Sequence, residues 1–200
     1  MKTPFPPTAA VVLLLAGCAA QEPVRFHTLL GGAPPASAAP QALRFRIESP
    51  VRVPPQVDQP QIVLRRPDGS LQVLEQQRWV APLADEWRDA LAQRLARTLG
   101  ALDVSRVGAP PGPAPYVLQL ELQRFDSVPG GQVLQQVQWS LRRPADTAPA
   151  LACLTHASEP AGADVATVAA AHRRAVSQLA EAIAAAVRRL EQGQPARCPD

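Results

Sequence analysis

The side chains able to do chemistry are few in this chain of 200 residues, which carries 3 cysteines and 3 histidines. His27, His156 and His172 lie far apart, and neither C-x-x-C nor H-E-x-x-H spacing occurs, so the pattern offers no metal site. His172 instead reads as a hydrogen-bonded residue at the edge of a core. No G-x-S-x-G nucleophile elbow is present. Gly31-Gly32 and Gly130-Gly131 lack the Lys and Ser/Thr of a phosphate-binding loop and read as turn glycines. No carboxylate is singled out by its spacing. No catalytic residue and no cofactor is therefore expected. Cys153 and Cys198 stand 45 positions apart, and a bridge between them would stabilise the fold by about 4 kcal/mol on the chain-entropy model. Two unpaired thiols are the alternative.

The third thiol has a different setting. Met1-Lys2 precedes an apolar run from Ala9 to Ala16, the charge-then-apolar order of a signal peptide. The run is too short for a bilayer span of about 20 residues. It ends Leu15-Ala16-Gly17-Cys18, which resembles the bacterial lipobox. That resemblance implies a leader over 1–17 and cleavage before Cys18. It also implies diacylation of the Cys18 sulfur and N-acylation of the new terminus, with palmitate-type chains. Two or more chains anchor stably without spanning. Ala19 rather than Asp after the cysteine favours the outer membrane, with the domain on its periplasmic side. The periplasm is oxidising, which favours pairing of Cys153 with Cys198. Cleavage also removes Lys2, the only lysine, and lowers the formal charge of +3 by one. The arginines are scattered, and no dense basic stripe marks a nucleic-acid binder.

These side chains need a scaffold. An acylated tether over 18–23 leads into one domain over 24–192, with a tail over 193–200. Residues Ala19 to Pro23 reach roughly 17 Å at most, which holds the domain near the membrane. Val24 to Leu30 is strand-like, and Gly31 to Pro40 reads as a loop. Leu43, Phe45 and Ile47 alternate with charged residues, as in a half-buried strand. Val51 and Val53 continue the alternation between prolines. Gln61–Arg65 and Leu71–Glu75 flank Asp68-Gly69, a hairpin signal. Pro82 to Leu99 reads as a helix, with Leu83, Trp87, Leu91, Leu95 and Leu99 on one stripe. Gly100 stops it. Asp85 and Glu86 near its start and Arg94 and Arg97 near its end suit the helix dipole. Val104 to Val107 is expected as a short strand. A long hairpin follows across Val128–Gly131, with Val133, Gln135, Val137, Trp139 and Leu141 on one face. Leu151 to His156 is the next strand, and Asp164 caps a last helix to Leu190. The fold class is α+β, a mainly antiparallel or mixed sheet with two helices packed on one face.

Three stretches carry a resemblance beyond the lipobox. They are Val51 to Arg65 with its D-x-P-x-I-V-x-R core, Glu75 to Leu83 with Arg78-Trp79, and the Ala/Leu helix after Ser158-Glu159-Pro160. In this order they resemble the PqiC-like family of ABC-type transport auxiliary lipoproteins over nearly all of the chain behind the leader. The resemblance implies an auxiliary, non-enzymatic role beside an MCE-domain protein and its ABC transporter or permease. It leaves open a ring-shaped homo-oligomer. Arg25-Phe26-His27 departs from the aromatic pair common in the first strand, and Cys153 and Cys198 lie outside the family pattern.

Asp58, Arg65, Arg78 and Trp79 are the candidate partner contacts, with hairpin-edge and core roles as the competing reading. Trp79 either packs beneath the first helix or marks a contact surface. The leading expectation is an outer-membrane-anchored subunit of an MCE-type lipid-transport system. An envelope-assembly or stress-tolerance lipoprotein without a lipid conduit is the second reading, and a periplasmic hydrolase the third.

Overall fold

Apolar alternation and its turns build two sheets, with two helices against the larger one. The computed structural model describes residues 22–32, 43–106, 111–143 and 151–198. The strands are β1 (Arg25–His27), β2 (Arg44–Ile47), β3 (Gln61–Arg65), β4 (Leu71–Trp79), β5 (Leu102–Asp103), β6 (Tyr116–Ser127), β7 (Gln132–Arg142) and β8 (Leu151–Pro160). The helices are α1 (Leu83–Leu99) and α2 (Val165–Glu191). This is the α+β class expected, with its strands divided between a three-stranded sheet ordered β1-β4-β3 and a five-stranded sheet ordered β5-β2-β6-β7-β8. The β3/β4, β6/β7 and β7/β8 pairs are antiparallel, whereas β1/β4, β2/β5 and β2/β6 are parallel.

Proline explains the division. Pro50, Pro54, Pro55 and Pro60 punctuate the path from β2 to β3, and proline has no N–H to give a ladder. The alternation of Val51 and Val53 therefore builds no strand. One bridge, Arg52 to Glu121, and a 3-10 turn over Pro55–Val57 take its place. The first strand is also shorter than its sequence suggests. Beyond His27 the chain leaves the sheet because Glu86 on α1 accepts from the Thr28 hydroxyl and the Leu29 N–H, at 2.7 and 2.8 Å. The strand expected at 104–107 is displaced to Leu102–Asp103. The Asp103 carboxylate accepts the Ser105 N–H at 2.9 Å and turns the chain there; Val107 lies outside the described residues.

On α1, Leu83, Trp87, Leu91 and Leu95 are all fully buried, so the four-residue stripe is the face it presents inward. Pro82 takes the position before the helix and its carbonyl accepts from Asp85 and Glu86. Gly100 ends the helix at φ 59°, ψ 36°, a left-handed conformation that glycine adopts without steric penalty. Helix α2 packs against β7, β8 and α1. Its alanines at 169, 171, 175, 180, 184 and 186 are buried, and small side chains allow close approach. The Asp164 carboxylate caps it by accepting the Thr167 N–H at 2.9 Å.

Candidate functional site

Three of the four candidate contact residues belong to the small sheet and Asp58 lies in the turn before it, and the four do not form one surface. Asp58 is exposed and ends the 3-10 turn, its N–H donating to Pro55 O at 3.3 Å. Arg78 pairs with Gln61 across β3 and β4 and with Phe26 on β1, and its Nε donates to Glu75 O at 3.4 Å. Arg65 lies at the other end of β3, opposite Leu71, roughly 13 Å along the strand from Gln61. There its Nε donates to Asp126 at 2.9 Å, and Arg124 approaches the same carboxylate. Trp79 is 4% exposed and meets Phe125 edge-on, with ring centroids 6.1 Å apart. Its indole sits between the two sheets as core. A β-strand side-chain pattern cannot distinguish such a position from an exposed one, because a bulge in β4 near Gln61/Ile62 shifts the phase just before it.

Behind Trp79 lies a buried polar chain. Trp87 Nε1 donates to Gln135 Oε1 at 2.9 Å, and Gln135 Nε2 reaches His172 Nδ1 at 3.1 Å. Indole can only donate, so it orients the amide and makes Nδ1 the acceptor. His172 Nε2 then carries the proton and donates to Ser127 Oγ at 2.8 Å. Phe125 stacks on the imidazole at 3.8 Å between centroids and 6° between planes. His172 is fully buried, deeper than the core edge expected, and burial pulls its pKa from 6.5 down to about 3. A neutral ring with both nitrogens bonded holds packing in register and is not poised for proton transfer near neutral pH.

A second set of polar contacts reads the backbone just after β1. Along α1, Glu86 takes Leu29 N–H, Gln93 takes Gly31 N–H at 3.3 Å, and Arg94 Nη1 donates to Leu29 O at 3.4 Å. From α2, Arg173 Nη1 donates to Thr28 O at 3.1 Å. These residues escape sequence reading, because Arg94 and Arg97 suit the helix dipole and Arg173 belongs to a different helix.

Cys153 and Cys198 are bonded in the structure at 2.15 Å, with Cα atoms 5.4 Å apart. Cys18 lies outside the described residues. Among the described residues no three His, Cys, Asp or Glu side chains gather as metal ligands, and no helix is long and apolar enough to cross a membrane. The groove between the Glu48–Arg52 segment and the outer face of β6 and β7 is lined by Gln119, Glu121 and Gln138. Its polar groups bond one another: Gln119 Nε2 donates to the Glu48 carboxylate, and beside it Gln123 Nε2 donates to Gln138 Oε1 at 2.8 Å.

Comparisons with known proteins place the chain in a family. The family model described as "ABC-type transport auxiliary lipoprotein component" matches residues 27–184. A solved structure of an uncharacterized protein aligns at a TM-score of 0.66 and 18% identity, over 83% of this chain and 99% of that one. A Xanthomonas campestris protein of the DUF330 family aligns at a TM-score of 0.60 and 18% identity, over 85% and 98% of the two chains. At such identity these structures attest the fold. No curated protein matches the chain.

Proposed function

We propose, from the premise that this chain belongs to the family of ABC-type transport auxiliary lipoprotein components, that it serves an MCE-type intermembrane lipid-transport system as a non-enzymatic subunit. Acyl chains on Cys18 hold it to the periplasmic face of the outer membrane, and its domain docks an MCE-domain protein that works with an ABC transporter or permease. The observation that carries this reading is the family match over 27–184 directly behind a lipobox-like Leu15-Ala16-Gly17-Cys18. The physical logic is positional. Residues 18–23 are too few to let the domain wander, so a partner that bridges the periplasm meets it at the membrane surface. Asp58, in the turn that leads into β3, and Arg78, opposite the first residue of β3, are the proposed contact; Arg65 and Trp79 tie the small sheet to β6.

The test is radiolabelled palmitate incorporation, membrane fractionation and affinity co-purification in the native host. Wild type is expected to take up label, to sediment with the outer membrane and to retain an MCE protein. Cys18→Ser should lose the label and the membrane fraction together. Asp58→Ala with Arg78→Ala should release the partner while the protein stays folded. Retention of the MCE protein by that double variant would move the contact elsewhere, and label-free wild type would remove the anchor.

A further inference from the structure

Three guanidinium groups meet beside the turn that follows β1, with no acid among them. Arg94 and Arg97 lie one turn apart on α1, and Arg173 comes from α2. A Cβ placed on Gly31 would stand 3.5 Å from Arg94 Nη2 and 3.5 Å from Arg173 Cδ, and one on Gly32 would stand 3.5 Å from Arg97 Nη1. Arg94 is only 6% exposed. Several other buried or half-buried arginines do have carboxylates: Arg65 has Asp126, Arg88 has Asp89 and Asp103, Arg143 has Glu191, while Arg78 and Arg189 bond single backbone carbonyls. Arg94, Arg97 and Arg173 have none among the described residues. Glu86, the acid touching this segment, is occupied by Thr28 and Leu29 N–H.

Backbone clamping accounts for part of this arrangement. Arg94 uses Nε on Ser177 at 2.7 Å and Nη1 on Ala90 O and Leu29 O, while Arg173 uses Nη1 on Thr28 O. Arg94 Nη2, the remaining donors of Arg173 and all of Arg97 have no hydrogen-bond partner among the described residues. Like charges so placed repel one another. Burial, then Arg97 and Arg173, hold Arg94 down at about 10 instead of 12.5, which still leaves it protonated at neutral pH. The C-terminal end of α1 offsets only about half of one charge. The surplus matches an oxyanion that can take several N–H donors at once, as guanidinium forks do with phosphate. Gly31 and Gly32 themselves place no side chain against those donors.

We propose that Arg94, Arg97 and Arg173, with the Gly31–Gly32 turn, form a binding site for a phosphate group, supplied by the headgroup of an anionic phospholipid or by free inorganic phosphate. The site is built from its own side chains and stands whether or not the chain serves an MCE system.

The test uses the acylated full chain in nonionic detergent, with calorimetry and thermal melts. The probes are inorganic phosphate, mixed micelles containing phosphatidylglycerol, and mixed micelles containing phosphatidylcholine. Arg97 is exposed and makes no hydrogen bond or ion pair among the described residues, so Arg97→Glu should fold. Its new carboxylate would sit among the guanidiniums in place of the ligand. The expected result is a higher Tm without ligand and at least tenfold weaker binding of the anion that stabilises wild type. Arg97→Gln, which removes one repelling charge but adds no acid, should weaken binding with a smaller rise in Tm than Arg97→Glu. Saturation by phosphate alone would identify the free anion. Saturable binding of phosphatidylglycerol that phosphatidylcholine does not reproduce would identify the headgroup. Absence of saturable binding by all three probes, or equal binding by wild type and Arg97→Glu, would overturn the site. None of these readouts depends on the MCE partner.

Discussion

His172 shows how much a single side chain can bind into a fold without a charge. Its ring is neutral, stacked and doubly hydrogen-bonded, with a folded pKa near 3 against an ordinary 6.5. Below about pH 6.5 the unfolded chain takes up a proton that the folded chain refuses. Stability therefore falls as pH drops from 6.5 towards 3, by about 1.4 kcal/mol for each pH unit per proton. Urea melts across that range should show this slope in wild type and lose about one proton's worth of it in His172→Gln. An unchanged slope would mean that the ring is charged when folded. The sequence pattern places Gln135 among the apolar positions of β7, and that anomaly was the legible sign of a buried polar chain. What it could not reveal was the partner, since Trp87, Ser127 and His172 join it from three other elements. Arg94, Arg97 and Arg173 were illegible for the same reason: i, i+3 spacing brings two together, but only the packing of α1 on α2 adds the third.

Elements were most legible where one period runs unbroken. The Leu83–Leu95 stripe and the Asp164 cap mark α1 and α2 closely, because 3.6-residue periodicity and a capping side chain are local properties. Removing the cap as Asp164→Ala should lower the midpoint of chemical denaturation, with fraying at the N-terminal turn of α2 seen as faster amide exchange there. Strands were less legible wherever a bulge resets the phase. The irregularity between Leu122 and Arg124 lets Phe125 face the core after Leu118, Leu120 and Leu122, which strict alternation forbids. The similar irregularity near Gln61 hides the burial of Trp79. Parallel pairing of β1 on β4 and of β2 on β6 leaves no turn signal at all, so the split into two sheets was invisible in sequence.

At the scale of the molecule the C-terminal end is fastened twice, once covalently and once by hydrogen bonds. The tail beyond α2 is joined to β8 through Cys198 and Cys153, while the C-terminal turn of α2 is held by Tyr116 Oη donating to Glu191 at 2.7 Å beside Arg143. Burial and that bond to Glu191 push the Tyr116 phenol up to about 12, so this clasp stays intact through neutral pH. Cys198→Ser opens the covalent loop of 45 residues and should lower stability by up to about 4 kcal/mol. Denaturant melts of oxidised wild type against the variant measure it. Equal midpoints would show that the bridge adds no net stability.

The strand pairings also set an order of events in time. Phe26 has its partner at Arg78 and Phe45 has its partner at Tyr116, both far downstream. A chain emerging N-terminus first cannot close either parallel pair until those later strands have followed. Distant pairings are slow to form, because loop closure must precede any reward from contact. Strands β1 and β2 therefore dock only after β4 and β6 have been made, so the N-terminal edge of each sheet is completed late.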